Sequence, residues 1–220
     1  TLDLARDVKW AVEYLRSRAD ISKIGLIGHS EGGIIAPIVT NESNSVSFII
    51  LMAGTGLKGR DIIMDQQELI SRASGASQED IDAYKYLNKK IFDLIEDDSN
   101  SLDSLKIKIT RIMKVETKGE LTINQIKQQI NSLLSPWMLF FLNYDPVPVL
   151  TKVKCPVLAL NGKKDLQVSY KKNLDRIYKA LTGETRPDNN IVTHGNTNVT
   201  SIVFEDLNHM FQKADSGHPR

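Results

Sequence analysis

Cysteine is almost absent. The one thiol, Cys155, cannot close an internal disulfide, and without a second cysteine no thiolate cluster can build a structural zinc site. Its place before Pro156 and an apolar run reads as a buried structural thiol. Excess charge of either sign is missing too: 28 Lys and Arg stand against 27 Asp and Glu, a formal net charge of +1. That balance leaves no electrostatic footprint for nucleic acid or an anionic membrane surface. No apolar run is long enough to span a bilayer, no signal-peptide pattern is seen, and repeats and low-complexity tracts are lacking. What remains is ordinary globular composition over 220 residues, enough for one sizeable domain or a domain with an insertion. Localisation and oligomeric state are left open.

Against that plain background one stretch stands out, Ile24-Gly-Leu-Ile-Gly-His-Ser-Glu-Gly-Gly33. An apolar strand pattern runs into Gly28-His29-Ser30-Glu31-Gly32, and a small-residue apolar segment follows. This is G-x-S-x-G with a strand before it and a helix after it. A serine at so tight a turn has its hydroxyl pushed out above the sheet, in a strained backbone conformation. Gly28 and Gly32 are expected to be glycines because a Cβ at either would collide with the neighbouring chain. The helix beginning after Ser30 points its N-terminal amides at the serine, and the Glu31 backbone N–H is expected to be one oxyanion donor. The Glu31 carboxylate is more simply placed as a favourable charge at a helix start.

The rest of the chain supplies a frame. The first helix is predicted over Leu2–Arg18, with Leu4, Val8, Ala11, Val12 and Leu15 as its apolar face. A strand follows from Lys23, then a helix from Gly32 to about Thr40 that Pro37 should kink. The continuous apolar run Val46–Met52 predicts a strand buried on both faces of a parallel sheet. From about Leu57 to Asp145 strand signals vanish. Helices are predicted at Asp61–Arg72, after a capping box at Ser77-Gln-Glu-Asp80 with Ile81, Tyr84, Leu87, Ile91 and Ile95 on its face, at Ser101–Val115, at Thr122–Leu134 and after Ser135-Pro136. Sheet character resumes at Cys155–Asn161. Ser169 is expected to cap a helix ended by Gly183, Glu184–Asn198 reads as a polar excursion, and Val199–Phe204 as the last strand. The fold class is therefore α/β, a mostly parallel sheet flanked by helices. Residues 1–56 and 151–220 form the core, and 57–150 is an inserted helical cap. Trp137, Phe140 and Phe141, where the cap returns to the sheet, are the candidate substrate-pocket residues.

A serine hydroxyl needs a base to take its proton, and the base needs a carboxylate to hold its tautomer. Strand ends supply both, in the order serine, acid, histidine. Asp165 lies just past the strand ending at Asn161, and His209 just past the strand ending at Phe204. His29 adjoins the nucleophile but should point elsewhere as a packed or hydrogen-bonded structural histidine; His194 falls in the polar excursion and His218 near the chain end. Asp206 shares a short loop with His209, while Asp145, Asp175 and Asp188 read as turn or surface residues. Lys163 and Lys164 read as a solvated pair.

Three segments, Gly-His-Ser-Glu-Gly-Gly at 28–33, Asn161-Gly-Lys-Lys-Asp-Leu-Gln-Val168 and Leu207-Asn-His-Met-Phe-Gln212, together resemble the bacterial α/β-hydrolases of the esterase and serine aminopeptidase-like group. The resemblance covers most of the chain. It implies a partial α/β-hydrolase fold, Ser30 as nucleophile, Asp165 as acid and His209 as base. It implies hydrolysis of small-molecule carboxylic esters through an acyl-enzyme, with neither metal nor organic cofactor. A peptidase or amidase on the same fold would use the same triad. The resemblance also implies strands before the first helix, including a loop that carries a second oxyanion donor, and a helix after the histidine loop. The chain starts abruptly inside a helix and stops in polar loop chemistry, so a fragment truncated at both ends is expected, and a fragment inactive by itself is the third reading.

Overall fold

A computed structural model describes residues 1–97, 99–187 and 198–218, and the backbone of 191–194. It divides into two compact units, Thr1–Ile70 with Asp145–Arg220, and Ser71–Tyr144. The helical unit is narrower than the 57–150 insertion expected from the sequence.

The first unit opens with helix α1 (Leu2–Arg16), strand β1 (Ile24–His29), helix α2 (Gly32–Glu42) and strand β2 (Val46–Met52). Helix α3 (Gly59–Ala73) leads to α4 (Gln78–Ile95), α5 (Leu102–Glu116), α6 (Ile123–Leu133) and α7 (Pro136–Asn143). The first unit resumes with α8 (Val147–Leu150), β3 (Val157–Gly162), α9 (Tyr170–Thr182), β4 (Ile191–His194) and β5 (Val199–Phe204). The sheet order is β1-β2-β3-β5-β4. Neighbours are parallel from β1 through β5, and β4 joins β5 antiparallel. Because β1, β3 and β5 run the same way, the loops after His29, Gly162 and Phe204 leave one edge of the sheet.

Helix α2 packs on β1 and β2, and α9 on β3 and β5. Ile34 and Val39 of α2, Leu174 and Ile177 of α9, and Ile49, Leu51, Val157 and Ala159 of the strands are all buried. Each such side chain contributes about 1.5–3 kcal/mol relative to exposure. The helical unit has its own core, in which Ile81, Ile91, Ile109, Met113, Ile126, Ile130 and Leu142 are buried.

Several local expectations are corrected. Strand β2 is not buried on both faces: Ile49 and Leu51 are fully buried, while Phe48 is exposed and Ile50 and Met52 are half-buried. A pleated strand sends alternate side chains to opposite faces, and here one face is covered more deeply. On α1 the buried residues are Ala5 and Val12, and Leu4 and Ala11 are exposed. On α4 Tyr84 is exposed and Phe92 takes a buried place. Pro37 sits buried inside α2, which runs on as a single helix past it. The polar excursion contains β4, a four-residue edge strand whose partner is supplied by the fold and not by local pattern. Cys155 is half-buried, and desolvation pushes its thiol pKa up.

Candidate active site

The turn after β1 is as tight as its spacing requires. Ser30 N–H donates to Met52 O at 2.9 Å, carrying the β1–β2 pairing past the strand, and Gly33 N–H donates back to Ser30 O at 2.9 Å. Ser30 itself has φ 54, left-handed backbone that a residue with a side chain adopts at a cost. A Cβ on Gly28 would stand 2.0 Å from Gly32 O. The second necessary glycine is Gly33, whose Cβ would stand 2.6 Å from Gly54 Cα, whereas the space around Gly32 is open. At Gly28 the crowding comes from the turn itself; at Gly33 it comes from the chain leaving β2, a neighbour that no local spacing announces. Glu31 occupies the N-cap position of α2, and its carboxylate accepts a hydrogen bond from the Thr1 hydroxyl.

Asp165 and His209 meet from the loops after β3 and β5. Asp165 is 2% exposed and His209 7%. One carboxylate oxygen of Asp165 accepts from Gln167 N–H at 2.8 Å and Val168 N–H at 2.9 Å. The other lies 2.9 Å from His209 Nδ1. A carboxylate only accepts, so Nδ1 carries the proton, and in the neutral ring Nε2 is left with its lone pair. The histidine loop is itself folded tightly: Asn208 Oδ1 accepts from Met210 N–H and Gln212 N–H, both at 3.0 Å. Lys163 is exposed, as expected of a solvated residue, whereas Lys164 is half-buried. Lys163 bridges to Glu205 at 3.0 Å and Lys164 donates to Ala214 O at 2.7 Å, so both tie the acid loop to the chain around the base.

His29 joins these parts. Its Nε2 lies 2.8 Å from the backbone O of His209, and the two rings are 4.8 Å apart. Thus the residue before Ser30 touches the backbone of the candidate base. Among the described residues Ser30 Oγ makes no hydrogen bond with His209. Beside His209 opens a polar cavity of about 460 Å³, whose lining includes Gln167, Asn208, Gln212 and Asp215.

The competing acids are engaged elsewhere. Asp206 faces Lys164 at 3.9 Å, Asp145 accepts from Val147 N–H, and Asp175 pairs with Arg186. Asp188 lies outside the described residues, as does the side chain of His194. Trp137, Phe140 and Phe141 belong to the helical unit, where Trp137 stacks on buried Phe141 at 5.4 Å and Phe140 packs against Tyr144. Among the described residues no group of three His, Cys, Asp or Glu could hold a metal ion, and no helix is long and apolar enough to cross a membrane.

Residues 9–135 match the model of a family described as BAAT / Acyl-CoA thioester hydrolase C terminal. The match takes in more than half of the chain. Esterase EstD of Thermotoga maritima is 23% identical over 210 residues, covering 94% of this chain and 40% of EstD. The chain thus spans about two fifths of that relative's length. Among solved structures, an α/β-fold family hydrolase from Bacillus anthracis is 19% identical with a TM-score of 0.49, over 93% of this chain and 67% of its own. An esterase from Pyrococcus furiosus is 16% identical with a TM-score of 0.47, over 94% of this chain and 53% of its own.

Proposed function

The chain belongs to the BAAT / acyl-CoA thioester hydrolase C-terminal family, and on that premise we propose that it is the catalytic portion of a serine hydrolase acting on small carboxylic esters. Its mostly parallel sheet flanked by helices fits a partial α/β-hydrolase fold. The observation that carries the proposal is the buried Asp165–His209 pair, 2.9 Å apart, with the His209 backbone bonded to the residue before a left-handed Ser30.

In this reading Ser30 Oγ attacks the acyl carbon while its proton passes to His209 Nε2. The carbonyl π pair moves onto oxygen, where the Glu31 N–H at the start of α2 is a donor suited to the developing charge. Collapse expels the alcohol, which takes the proton from His209, and leaves an acyl-Ser30 ester. Water, deprotonated by His209, then attacks that ester and releases the acid and the free serine. Asp165 stabilises the imidazolium in both halves without taking up its proton. A thioester would follow the same route with a thiol as leaving group, and the family's description favours testing it. A peptidase or amidase would differ only in expelling an amine. The helical unit, with Trp137, Phe140 and Phe141 on its last helix, is the part we propose to govern acyl-chain preference.

The test is turnover of short p-nitrophenyl esters, of an acyl-CoA thioester and of an aminoacyl amide by the chain and by Ser30→Ala. We expect ester turnover that Ser30→Ala reduces by about 10³-fold or more. Ester turnover that survives Ser30→Ala unchanged would remove the nucleophile. Amide turnover exceeding ester turnover would move the reading to a peptidase.

A further inference from the structure

The mechanism above uses Ser30, Asp165 and His209, and leaves His29 without a task. Yet His29 is placed where a task exists. A triad histidine must be held in two respects: its ring must be turned correctly, and its backbone must stay at a fixed distance from the serine. Asp165 does the first through Nδ1 at 2.9 Å. Asp165 is attached to β3, however, and says nothing about β1, where the serine sits.

We propose that His29 is a positioning residue that clamps the His209 backbone to the nucleophile turn through an Nε2–H···O bond; this rests on the serine hydrolase reading. The contact is 2.8 Å between His29 Nε2 and His209 O. A carbonyl oxygen only accepts, so His29 Nε2 carries the proton, and Nδ1 is the unprotonated nitrogen in the neutral ring. The two triad neighbours are therefore opposite tautomers, Nδ1–H for His209 and Nε2–H for His29. His29 ends β1 and is covalently joined to Ser30, so the bond links nucleophile and base directly across 180 residues of sequence. Its ring is kept in place by His209 at 4.8 Å and by the edge of Phe211 at 6.2 Å. Phe211 in turn has φ 56 and lies edge-on to Phe204 at the end of β5. A misplacement of about 1 Å between reacting groups can cost roughly 100-fold in rate, which sets the scale for losing the clamp.

The experiment compares His29→Phe, which keeps a ring and loses the donor, with His29→Gln, whose side-chain amide can reach the same carbonyl. Ester turnover by both is measured beside wild type and Ser30→Ala. We expect His29→Phe to lower kcat about 10- to 100-fold with KM within about twofold, and His29→Gln to restore kcat to within a few-fold of wild type. Equal impairment of both variants, or a wild-type kcat in His29→Phe, would overturn the clamp. Wild-type turnover by Ser30→Ala would instead overturn the nucleophile and leave the clamp to be judged by its bond. That bond is read directly on the wild-type chain by ¹⁵N-histidine NMR, independent of turnover and of whether the variants fold. At neutral to mildly alkaline pH His29 should show the Nε2–H tautomer. The Nδ1–H tautomer would overturn the proposal.

Discussion

The helices of the two units begin in different ways. In the helical unit α4, α5, α6 and α7 each open on a Ser or Thr whose hydroxyl accepts a backbone N–H of the first turn: Ser77 from Asp80, Ser101 from Ser104, Thr122 from Gln125 and Ser135 from Met138. Among the described residues of the sheet-bearing unit, α1, α2 and α9 open with no such bond, and α8 opens on the Asp145 carboxylate, which accepts from Val147 N–H. Helix α9 is the sharpest case. Ser169 stands at its N-cap, yet among the described residues its buried Oγ has no partner, and the side chain of Asn173 donates to the Ser169 carbonyl instead. One unit is defined locally, by residues three apart in sequence. The other is defined by contacts between segments far apart, and the candidate site belongs to the second kind.

If that contrast is right, the largest losses come from breaking distant contacts in the sheet-bearing unit. Asp165→Asn keeps size and removes the charge that holds the His209 tautomer. We expect kcat for ester hydrolysis to fall about 10⁴-fold while the melting temperature stays near wild type. A fall of less than tenfold would show that the Asp165–His209 contact orients nothing. Next in size, Gly33→Val drives a side chain into Gly54, with a cost of about 1–3 kcal/mol or more by denaturant unfolding, whereas Gly32→Ala meets open space and should cost no more than a few tenths. Equal costs at the two glycines would mean that β1 and β2 do not crowd the turn.

The same division explains how much was legible in the residues. Strands β1, β2, β3 and β5 and the cap-bearing helices were readable because each announces itself within a few residues, by an apolar run or a hydroxyl before a helical pattern. The places of Ser30, Asp165 and His209 just past strand ends were readable too, and the structure brings Asp165 and His209 together. Gly33 and the tie made by His29 were not readable, because both depend on which strands become neighbours. The β4 strand escaped for the same reason: Ile191-Val-Thr-His194 is too short to signal by itself and pairs only because β5 offers an edge. Ser169 misled in the opposite direction, since a serine before a helical pattern promises a cap that the packing of α9 does not use. Thr122 reads as a helix start in the sequence, and the structure adds a full capping box, in which Thr122 N–H donates to Gln125 Oε1 at 2.9 Å.

Smaller effects sharpen the comparison. Thr122→Ala should destabilise the protein by about 0.5–2 kcal/mol in chemical unfolding. Ser169→Ala should be neutral or slightly stabilising, because it removes a buried hydroxyl that has no partner among the described residues. A Ser169→Ala loss as large as that of Thr122→Ala would erase the distinction between the two units. Smallest is a rate: the raised thiol pKa of half-buried Cys155 leaves less thiolate at a given pH than a free cysteine has. Iodoacetamide should modify it several-fold more slowly at pH 8, with the rate rising as pH increases. Alkylation as fast as that of a free cysteine would contradict the desolvated setting.

The central claim is that Ser30 is activated by His209, and a fluorophosphonate reads this without knowledge of the natural substrate. The folded protein is treated with the probe, digested and its peptides weighed. One adduct is expected, on Ser30, formed at a rate that His209→Ala lowers by orders of magnitude. An adduct on another residue, or none on a folded chain that turns over esters, would contradict the claim.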